Sequence, residues 1–322
     1  MTSPSQASDP GQAPDRHPSG PAARYRITHR TEYRYSDVVT SSYGRGFLTP
    51  RDLLRQRCLF HELRISPTPS DSSTSPDTYG NISSYFHVTE PHQTLTVTSS
   101  SIVEVYPSPP ERWGGGPALA PWELARPVGM RGALATEFAL DLNPPEITDE
   151  VRNYAAPSFA PQRPLGEVLR DLTSRIYTDF TYRSGSTTVS TGVNEVLRAR
   201  EGVCQDFARL AIACLRANGL AASYVSGYLA TEPPPGKDRM IGIDATHAWA
   251  AVWTPQPPGQ FEWLGLDPTN DQMVDERYVI VGRGRDYADV PPLRGIIYTN
   301  SKNSVIDVAV DVAPYEGDEL YA

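Results

Sequence analysis

The sequence predicts an α+β protein with two domains, and three observations support this prediction. Residues 24–106 alternate apolar and polar side chains, as half-buried strands do. Apolar residues then recur at intervals of three and four between about residues 146 and 218, which is typical of helices. Beyond Gly219 the alternating pattern returns. This order favours an N-terminal β-sandwich-like domain, followed by a domain with helices packed on an antiparallel sheet.

The first 23 residues are rich in Pro, Ser, Gly and Ala and contain almost nothing to bury, so we expect a disordered tail. This tail lacks the apolar run of a signal peptide, and no later stretch has the length and apolar character of a membrane span. We therefore expect a cytoplasmic protein that does not enter a membrane.

The first domain is expected at residues 24–106. Its opening stretch "RYRITHRTEYRY" places Tyr and Ile on one face of a strand and mainly Arg on the other. Three similar runs follow, "CLFHELRISP", "NISSYFHVTE" and "TLTVTSSSIVEVY", separated by turn residues. Residues 107–145 contain a dense Pro and Gly segment and are interpreted as a connector.

The second domain is expected at residues 146–322. Apolar residues predict a helix from Leu165 to Phe180, with Pro164 at a position that a first helical turn tolerates, and a shorter helix around residues 193–197. A third helix follows in "GVCQDFARLAIACLRANG", where Gly219 supplies a left-handed stop. The later strand candidates, including "RGIIYT" and "SVIDVAVDV", are assigned to the sheet of this domain.

The charge and the cysteine count exclude several functional classes. A formal net charge of −9, without a basic tract, argues against a nucleic-acid partner. The three cysteines are too sparse for a disulfide scaffold and lack the paired spacing of a zinc site. His29, His61, His87 and His92 are scattered through the first domain without metal-ligand spacing. We therefore expect no metal and no cofactor.

Cys204 is the candidate nucleophile. It follows Gly202 and Val203 at the start of a predicted helix, where unpaired NH groups and the positive end of the helix dipole favour thiolate over thiol. Cys214 lies on the apolar stripe of the same helix, and Cys58 lies at a strand edge. Both are interpreted as small packing residues.

A base for this thiol is predicted on a hairpin. In "THAWAAVWTPQPPGQFEWLGLDPTN" two alternating runs flank a polar turn centred on Pro257. His247 precedes that centre by ten residues and Asp267 follows it by ten, so symmetric pairing would place them directly opposite one another. The carboxylate could then accept the Nδ1 proton of His247 and leave Nε2 for the thiol. A one-residue slip in register would separate the two side chains onto opposite faces.

These residues resemble a known family. "GVCQDFARL", "THAWAAVW" and "LGLDPTN", in this order, look like the core motifs of transglutaminase-like proteins, a branch of the papain-like cysteine enzymes. The stretch from "YRITHRTEYRYSD" to the "TPR" at 49–51 resembles the β-rich domain that precedes the core in bacterial members. The resemblance implies Cys204 as nucleophile, His247 as general base and acid, and Asp267 as the residue that orients the imidazole.

Three further residues are candidates for supporting roles. Asp206 fits the family pattern and is expected to accept NH bonds in the first turn of the helix. Tyr182 is our candidate for a second oxyanion-hole donor beside the Cys204 backbone NH. Trp249 either forms a wall of the substrate site or packs in the core, and the sequence leaves both readings open.

The resemblance implies a reaction in which a thiolate attacks an amide carbonyl, forms a thioester, and passes the acyl group to an amine or to water. The expected substrates are peptides, proteins or small amides. Two alternatives remain open at this point: a peptidase or amidase in which water is always the acceptor, and a binding module that has kept the fold but lost turnover.

Overall fold

The computed structural model describes residues 21–108, 113, 115–231, 246–255 and 263–317. Most of the predicted tail and most of the turn centred on Pro257 lie outside these residues. The described chain is an α+β protein, as predicted, built on two antiparallel sheets.

The larger sheet has seven antiparallel strands arranged around one long strand. Its first five members in chain order are β1 (Ala23–Gly46), β2 (Gln56–Ser66), β3 (Asp71–Pro76), β4 (Ile82–Val88) and β5 (His92–Val105). A shift in register between Arg34 and Val39 divides β1 into two halves. Along one edge of β1, the first half pairs with β5 and the second half with β4, so the sheet curls around β1.

The helical layer follows between the two sheets in sequence. Its members are α1 (Gly129–Gly132), α2 (Asp149–Ala155), α3 (Leu165–Asp179), α4 (Val193–Ala199) and α5 (Cys204–Ala217), together with the short parallel pair β6 (Thr181–Tyr182) and β7 (Glu201–Gly202). The three predicted helices correspond to α3, α4 and α5. Gly219 has a positive φ of 76° just beyond α5, as its predicted role as a helix stop requires.

The second sheet has five antiparallel strands in the order β11-β10-β9-β8-β12. They are β8 (Ala222–Leu229), β9 (His247–Trp253), β10 (Trp263–Asp267), β11 (Gln272–Met273) and β12 (Tyr278–Gly284). Apolar residues of α5 share one core cluster with one face of β9, for example Leu210 with Ala250 and Val252. The helix that begins at Cys204 is therefore packed directly on this sheet.

The last two strands belong to the first sheet and not, as predicted, to the second. β13 (Leu293–Thr299) and β14 (Ser304–Pro314) were expected in the second sheet, but both pair with β1 of the first. Val310 and Val312 are buried there in a cluster with Ile27. The alternating pattern identifies a strand but not its partner, so the predicted range 146–322 combines residues of both sheets.

The predicted connector at residues 107–145 is also more ordered than a linker. Short helical turns at Trp122–Ala125 and Ala133–Ala139 bury Trp122 and Phe138. The Trp122 indole donates to the carbonyl of Ala160 at 3.0 Å. Proline and glycine in this segment thus accompany tight helical turns that close one side of the core.

The first sheet covers the free edge of β12. The side-chain amide of Gln56 donates to the Ile280 carbonyl and accepts from the Ile280 NH, both at 2.7 Å. Asn81 makes the same two bonds to Arg283, both at 2.8 Å. Two carboxamides therefore take the place of a neighbouring strand and supply hydrogen bonds to backbone NH and carbonyl groups at the edge of β12.

His29 is buried where the two sheets meet. Its Nδ1 lies 3.0 Å from the Tyr228 hydroxyl on β8, and its Nε2 lies 3.2 Å from the Thr31 hydroxyl. Burial lowers the pKa of His29 to about 4. The folded protein thus favours the neutral imidazole, whereas an unfolded chain would bind a proton near pH 6.5.

His29→Gln should therefore reduce the decrease in the free energy of unfolding between pH 7 and pH 4.5. In the wild type the contribution of neutral His29 is complete above pH 6.5 and is lost as pH falls towards 4, by roughly 2 to 3 kcal/mol. Urea unfolding at pH 7 and pH 4.5 measures this difference for both proteins. Equal pH dependence in the two would show that His29 is not the group responsible.

The start of α5 depends on a glycine. The Asp206 carboxylate accepts the backbone NH of Val203 at 2.8 Å and the hydroxyl of Thr187 at 2.6 Å, and the residue is buried. A Cβ atom at Gly202 would lie 2.9 Å from both Cβ and Oδ2 of Asp206. The carboxylate can cap the helix only because position 202 has no side chain.

Gly202→Ala should lower the free energy of unfolding by roughly 1 to 3 kcal/mol through this collision. Gly192→Ala is the matched control, because Gly192 also precedes a helix and the nearest atom to its added Cβ is Glu195 Oε1 at 3.8 Å. The control should cost less than about 1 kcal/mol. Denaturant unfolding of both variants checks the prediction, which equal losses would contradict.

Candidate active site

Three side chains from different elements meet at one end of the second sheet. Cys204 is the first residue of α5, His247 is the first residue of β9, and Asp267 is the last residue of β10. Cys204 interacts with the His247 imidazole and raises its pKa, and His247 Nε2 lies 2.7 Å from Asp267 Oδ2. Because β9 and β10 are antiparallel, the start of one and the end of the other lie at the same edge. The structure thus brings together the three residues singled out in the sequence.

The register of the hairpin differs from the predicted one by two residues. The ladder pairs Trp263 with Trp253 and ends with Leu266 opposite Ala250. Continuing this register places Asp267 opposite Trp249 rather than opposite His247. His247 and Asp267 are diagonal neighbours. A shift of two keeps both side chains on the same face, because strand side chains alternate with a period of two. Symmetry about Pro257 was the wrong assumption, since the composition of the turn does not fix its centre.

The two ring nitrogens of His247 are exchanged relative to the prediction. Nε2, not Nδ1, faces the Asp267 carboxylate, and this leaves Nδ1 for the thiol of Cys204. The sequence predicts the partners of the imidazole but carries no information about its orientation.

The electrostatics of the site favour a protonated imidazole. Burial alone would lower the pKa of His247, but the hydrogen bond to Asp267 and the interaction with Cys204 outweigh burial and raise it to about 10. Burial likewise opposes the charge of Asp267, yet its hydrogen bond to His247 holds the pKa of the carboxyl below its usual range. Near neutral pH the pair is an imidazolium and a carboxylate, and the imidazolium faces the sulfur.

The Asp267 carboxylate has three further donors that the sequence analysis did not identify. Oδ2 also accepts from Asn270 Nδ2 at 2.7 Å and from the Tyr278 hydroxyl at 2.8 Å, and Oδ1 accepts the Thr269 NH at 2.9 Å. The turn sequence "DPTN" indicates the two local donors, since a side chain before a turn often binds the NH groups that follow. Tyr278 is on another strand, so spacing gives no signal for it.

Cys204 raises the pKa of two tyrosines. Tyr182, the candidate oxyanion-hole donor, is 55% exposed, and its pKa is raised by burial and by the neighbouring Cys204. Tyr224 on β8 is buried, and burial and Cys204 raise its pKa well above 10. Both phenols therefore remain protonated near the thiol. Tyr224 was not anticipated, because it reads as one more apolar position of a buried strand.

Trp249 is a packing residue rather than a wall open to substrate. It is 1% exposed, and its ring centroid lies 5.9 Å from that of His247 and 5.2 Å from that of Tyr278. The ring also occupies space that a side chain at Gly227 would need, since a Cβ there would be 2.6 Å from the indole. Trp249 thus supports the imidazole from inside the core.

The other two cysteines lie apart from this site and are less suited to nucleophilic chemistry. Burial raises the pKa of Cys58 to about 11 and that of Cys214 to about 12. Cys204 is partly buried. Within the described ranges, no group of three or more His, Cys, Asp or Glu side chains is arranged to hold a metal ion. The described helices also include none long and apolar enough to cross a membrane.

Comparison with known proteins agrees with this geometry. Residues 25–104 match the bacterial transglutaminase-like N-terminal region, and residues 152–268 match the transglutaminase-like superfamily core. The second match spans Cys204, His247 and Asp267. The two matched regions correspond to most of the first sheet and to most of the helical layer with strands β8, β9 and β10.

Similar proteins occur in mycobacteria. The uncharacterized protein Rv2569c of Mycobacterium tuberculosis (strain ATCC 25618 / H37Rv) is 81% identical over 299 residues, which cover 93% of this chain and 95% of the relative. The uncharacterized protein ML0607 of Mycobacterium leprae (strain TN) is 32% identical over 298 residues, covering 90% and 98%.

A solved structure shares the fold. The crystal structure of a proposed cysteine protease from Cytophaga hutchinsonii superimposes with a TM-score of 0.67 at 20% identity, covering 93% of this chain and 95% of that one. With the fold, the motifs and both family regions in agreement, the chain belongs to the transglutaminase-like superfamily and carries its bacterial N-terminal region.

Proposed function

We propose that this protein is a cysteine acyltransferase that attacks an amide carbonyl, forms a thioester on Cys204, and transfers the acyl group to an amine or to water. The observation that carries the proposal is the meeting of Cys204, His247 and Asp267 at one site: the thiol interacts with the imidazole, and His247 Nε2 lies 2.7 Å from Asp267 Oδ2. A thiol, an imidazole and a buried carboxylate in this order are the parts required for nucleophilic catalysis by cysteine.

The first half-reaction follows from the charges at the site. The imidazolium of His247 favours the thiolate form of Cys204, and the sulfur attacks the carbonyl carbon of the substrate amide. A C–S bond forms and a tetrahedral oxyanion develops. His247 gives its proton to the leaving nitrogen as the C–N bond breaks, so an amine or ammonia departs and a thioester remains.

The second half-reaction uses the same groups in reverse. Neutral His247 takes a proton from the incoming amine or water while its nitrogen or oxygen attacks the thioester carbonyl. The C–S bond breaks and the sulfur leaves as a thiolate beside the imidazolium. Asp267 stays ionised throughout and holds the ring in the orientation that serves both steps.

The developing oxyanion requires hydrogen-bond donors. The Cys204 backbone NH lies in the first turn of α5, where NH groups lack partners within the helix. The partly exposed Tyr182 phenol is the proposed second donor, because Tyr182 pairs with Gly202, two residues before Cys204, and its pKa is raised above the ordinary value. The helix dipole of α5 adds to the stabilisation of negative charge at this point.

The choice between amine and water defines the closest alternative. The fold shared with the proposed cysteine protease of Cytophaga hutchinsonii makes a purely hydrolytic enzyme the second candidate. Both candidates use the same thioester, so they differ only in the acceptor. A binding module without turnover is the remaining alternative. It predicts that the Cys204 thiol reacts no faster than the Cys58 thiol.

To test the proposal, the protein is incubated with a glutamine-containing peptide, with and without a labelled primary amine. We expect Cys204→Ala to abolish both ammonia release and label incorporation, because the thioester cannot form. Cys58→Ala is the matched control and should retain activity, since Cys58 lies apart from the triad. Mass spectrometry of peptide and protein measures the products and the acyl-enzyme.

Each outcome has a defined meaning. Ammonia release without incorporation of the amine would favour the hydrolase. If no thioester forms, and iodoacetamide alkylates Cys204 no faster than Cys58, the binding module replaces the enzyme.

Asp267→Asn should lower turnover by roughly two to four orders of magnitude while the fold is retained. The neutral amide no longer stabilises the imidazolium, so the pKa of His247 falls from its value of about 10. Activity declines at alkaline pH when His247 loses its proton, and this decline should move to lower pH. Activity profiles from pH 5 to 11 measure both effects, and an unchanged profile would remove Asp267 from the mechanism.

A further inference from the structure

We propose that Tyr278 and Asn270 are positioning residues that keep the Asp267 carboxylate ionised and aimed at His247. This inference rests on the proposed function, since it assigns a role within the same triad. It concerns residues beyond the matched core region, which ends at residue 268.

The position of Tyr278 is unusual for a residue that touches the triad. It is the first residue of β12, and β8 and β9 separate β12 from β10 in the sheet. Its side chain lies on the same face as Trp249 and is 2% exposed. From there the hydroxyl donates to Asp267 Oδ2 at 2.8 Å.

Gly227 in β8 leaves room for the Trp249 ring, which packs against Tyr278. Gly227 pairs with His247 on one side, and a Cβ at this position would be 2.0 Å from the Val279 carbonyl oxygen and 2.6 Å from Trp249. Without that side chain, Trp249 and Tyr278 pack edge to face at 5.2 Å between ring centroids. The packing fixes the phenol ring and therefore the direction of its hydroxyl.

Asn270 donates to the same oxygen. Its Nδ2 lies 2.7 Å from Asp267 Oδ2, in the turn that follows β10. Together with His247, the two side chains give this oxygen three donors, while Oδ1 takes the backbone NH of Thr269. Four donors on the two oxygens favour a single orientation of the carboxylate, the one that faces the imidazole.

The energetic reason for these donors is the burial of Asp267, which is 0% exposed. A buried carboxylate without donors would favour its protonated form, and a protonated Asp267 would no longer stabilise the imidazolium. Hydrogen bonds from neutral groups favour the ionised form without supplying a proton of their own. The Tyr278 phenol suits this role, because burial and Asp267 raise its pKa above the ordinary value and it keeps its proton.

A purely structural role would leave the charge of Asp267 unaffected, so the test must measure that charge. The variants Tyr278→Phe and Asn270→Ala each remove one donor to Oδ2 and retain the residues of the triad. Tyr228→Phe is the matched control, because Tyr228 is also a buried tyrosine of this sheet and its hydroxyl contacts His29 rather than Asp267.

The readout is the titration of the Asp267 carboxyl by NMR of protein labelled with ¹³C at the aspartate carboxyls, with Asp267→Asn used to assign the signal. We expect the midpoint to move to higher pH in Tyr278→Phe and Asn270→Ala and to stay unchanged in Tyr228→Phe. The rate at which iodoacetamide alkylates Cys204 falls in acid, and the pH of this fall should rise together with the Asp267 midpoint, because a protonated Asp267 no longer stabilises the imidazolium.

The proposal fails if either variant, folded as judged by circular dichroism, titrates at Asp267 like the wild type. Should Tyr278→Phe not fold, Asn270→Ala alone decides, because it removes a donor to the same oxygen from a surface turn. Neither measurement requires a substrate. A protein in which Asp267 shifts as expected but no amide is turned over would contradict the proposed function and leave this inference standing.

Discussion

The hydrogen bond between His247 and the fully buried carboxylate of Asp267 is the interaction on which the site depends. A carboxylate removed from water is unstable unless donors replace its hydration. Here the donors come from the imidazole, a turn and a distant strand. The same bond holds the imidazole towards the sulfur and raises its pKa. The orientation and the charge of the imidazole beside Cys204 therefore depend on how the fold stabilises the buried carboxylate of Asp267.

Sheet and helix geometry bring these groups together with few special residues. Antiparallel pairing places the start of β9 and the end of β10 at one edge, and α5 is packed so that its first turn reaches the same edge. Two glycines make the close approaches possible. Gly202 leaves room for the capping carboxylate of Asp206, and Gly227 leaves room for Trp249. In both places the missing side chain matters more than the flexibility of the backbone.

The sequence was sufficient to predict what depends on local pattern. The helix that begins at Cys204, the hairpin that carries His247 and Asp267, and the capping role of Asp206 all follow from spacing within a short segment. The predictions that differed all required knowledge of tertiary geometry. The hairpin register depends on the centre of its turn, and the partner of β14 depends on which sheet lies within reach.

The contribution of Tyr278 shows why such residues are hard to predict and why the N-terminal domain bears on the site. The matched core region ends one residue after Asp267, so Thr269, Asn270 and Tyr278 all lie beyond it. Tyr278 begins β12, and Gln56 of the first sheet pairs with Ile280 two residues further along that strand. A continuous series of contacts thus runs from the N-terminal sheet through β12 to the carboxylate. This arrangement gives a physical reason for the N-terminal region to accompany the core in one chain, since it covers the strand edge from which a triad donor extends.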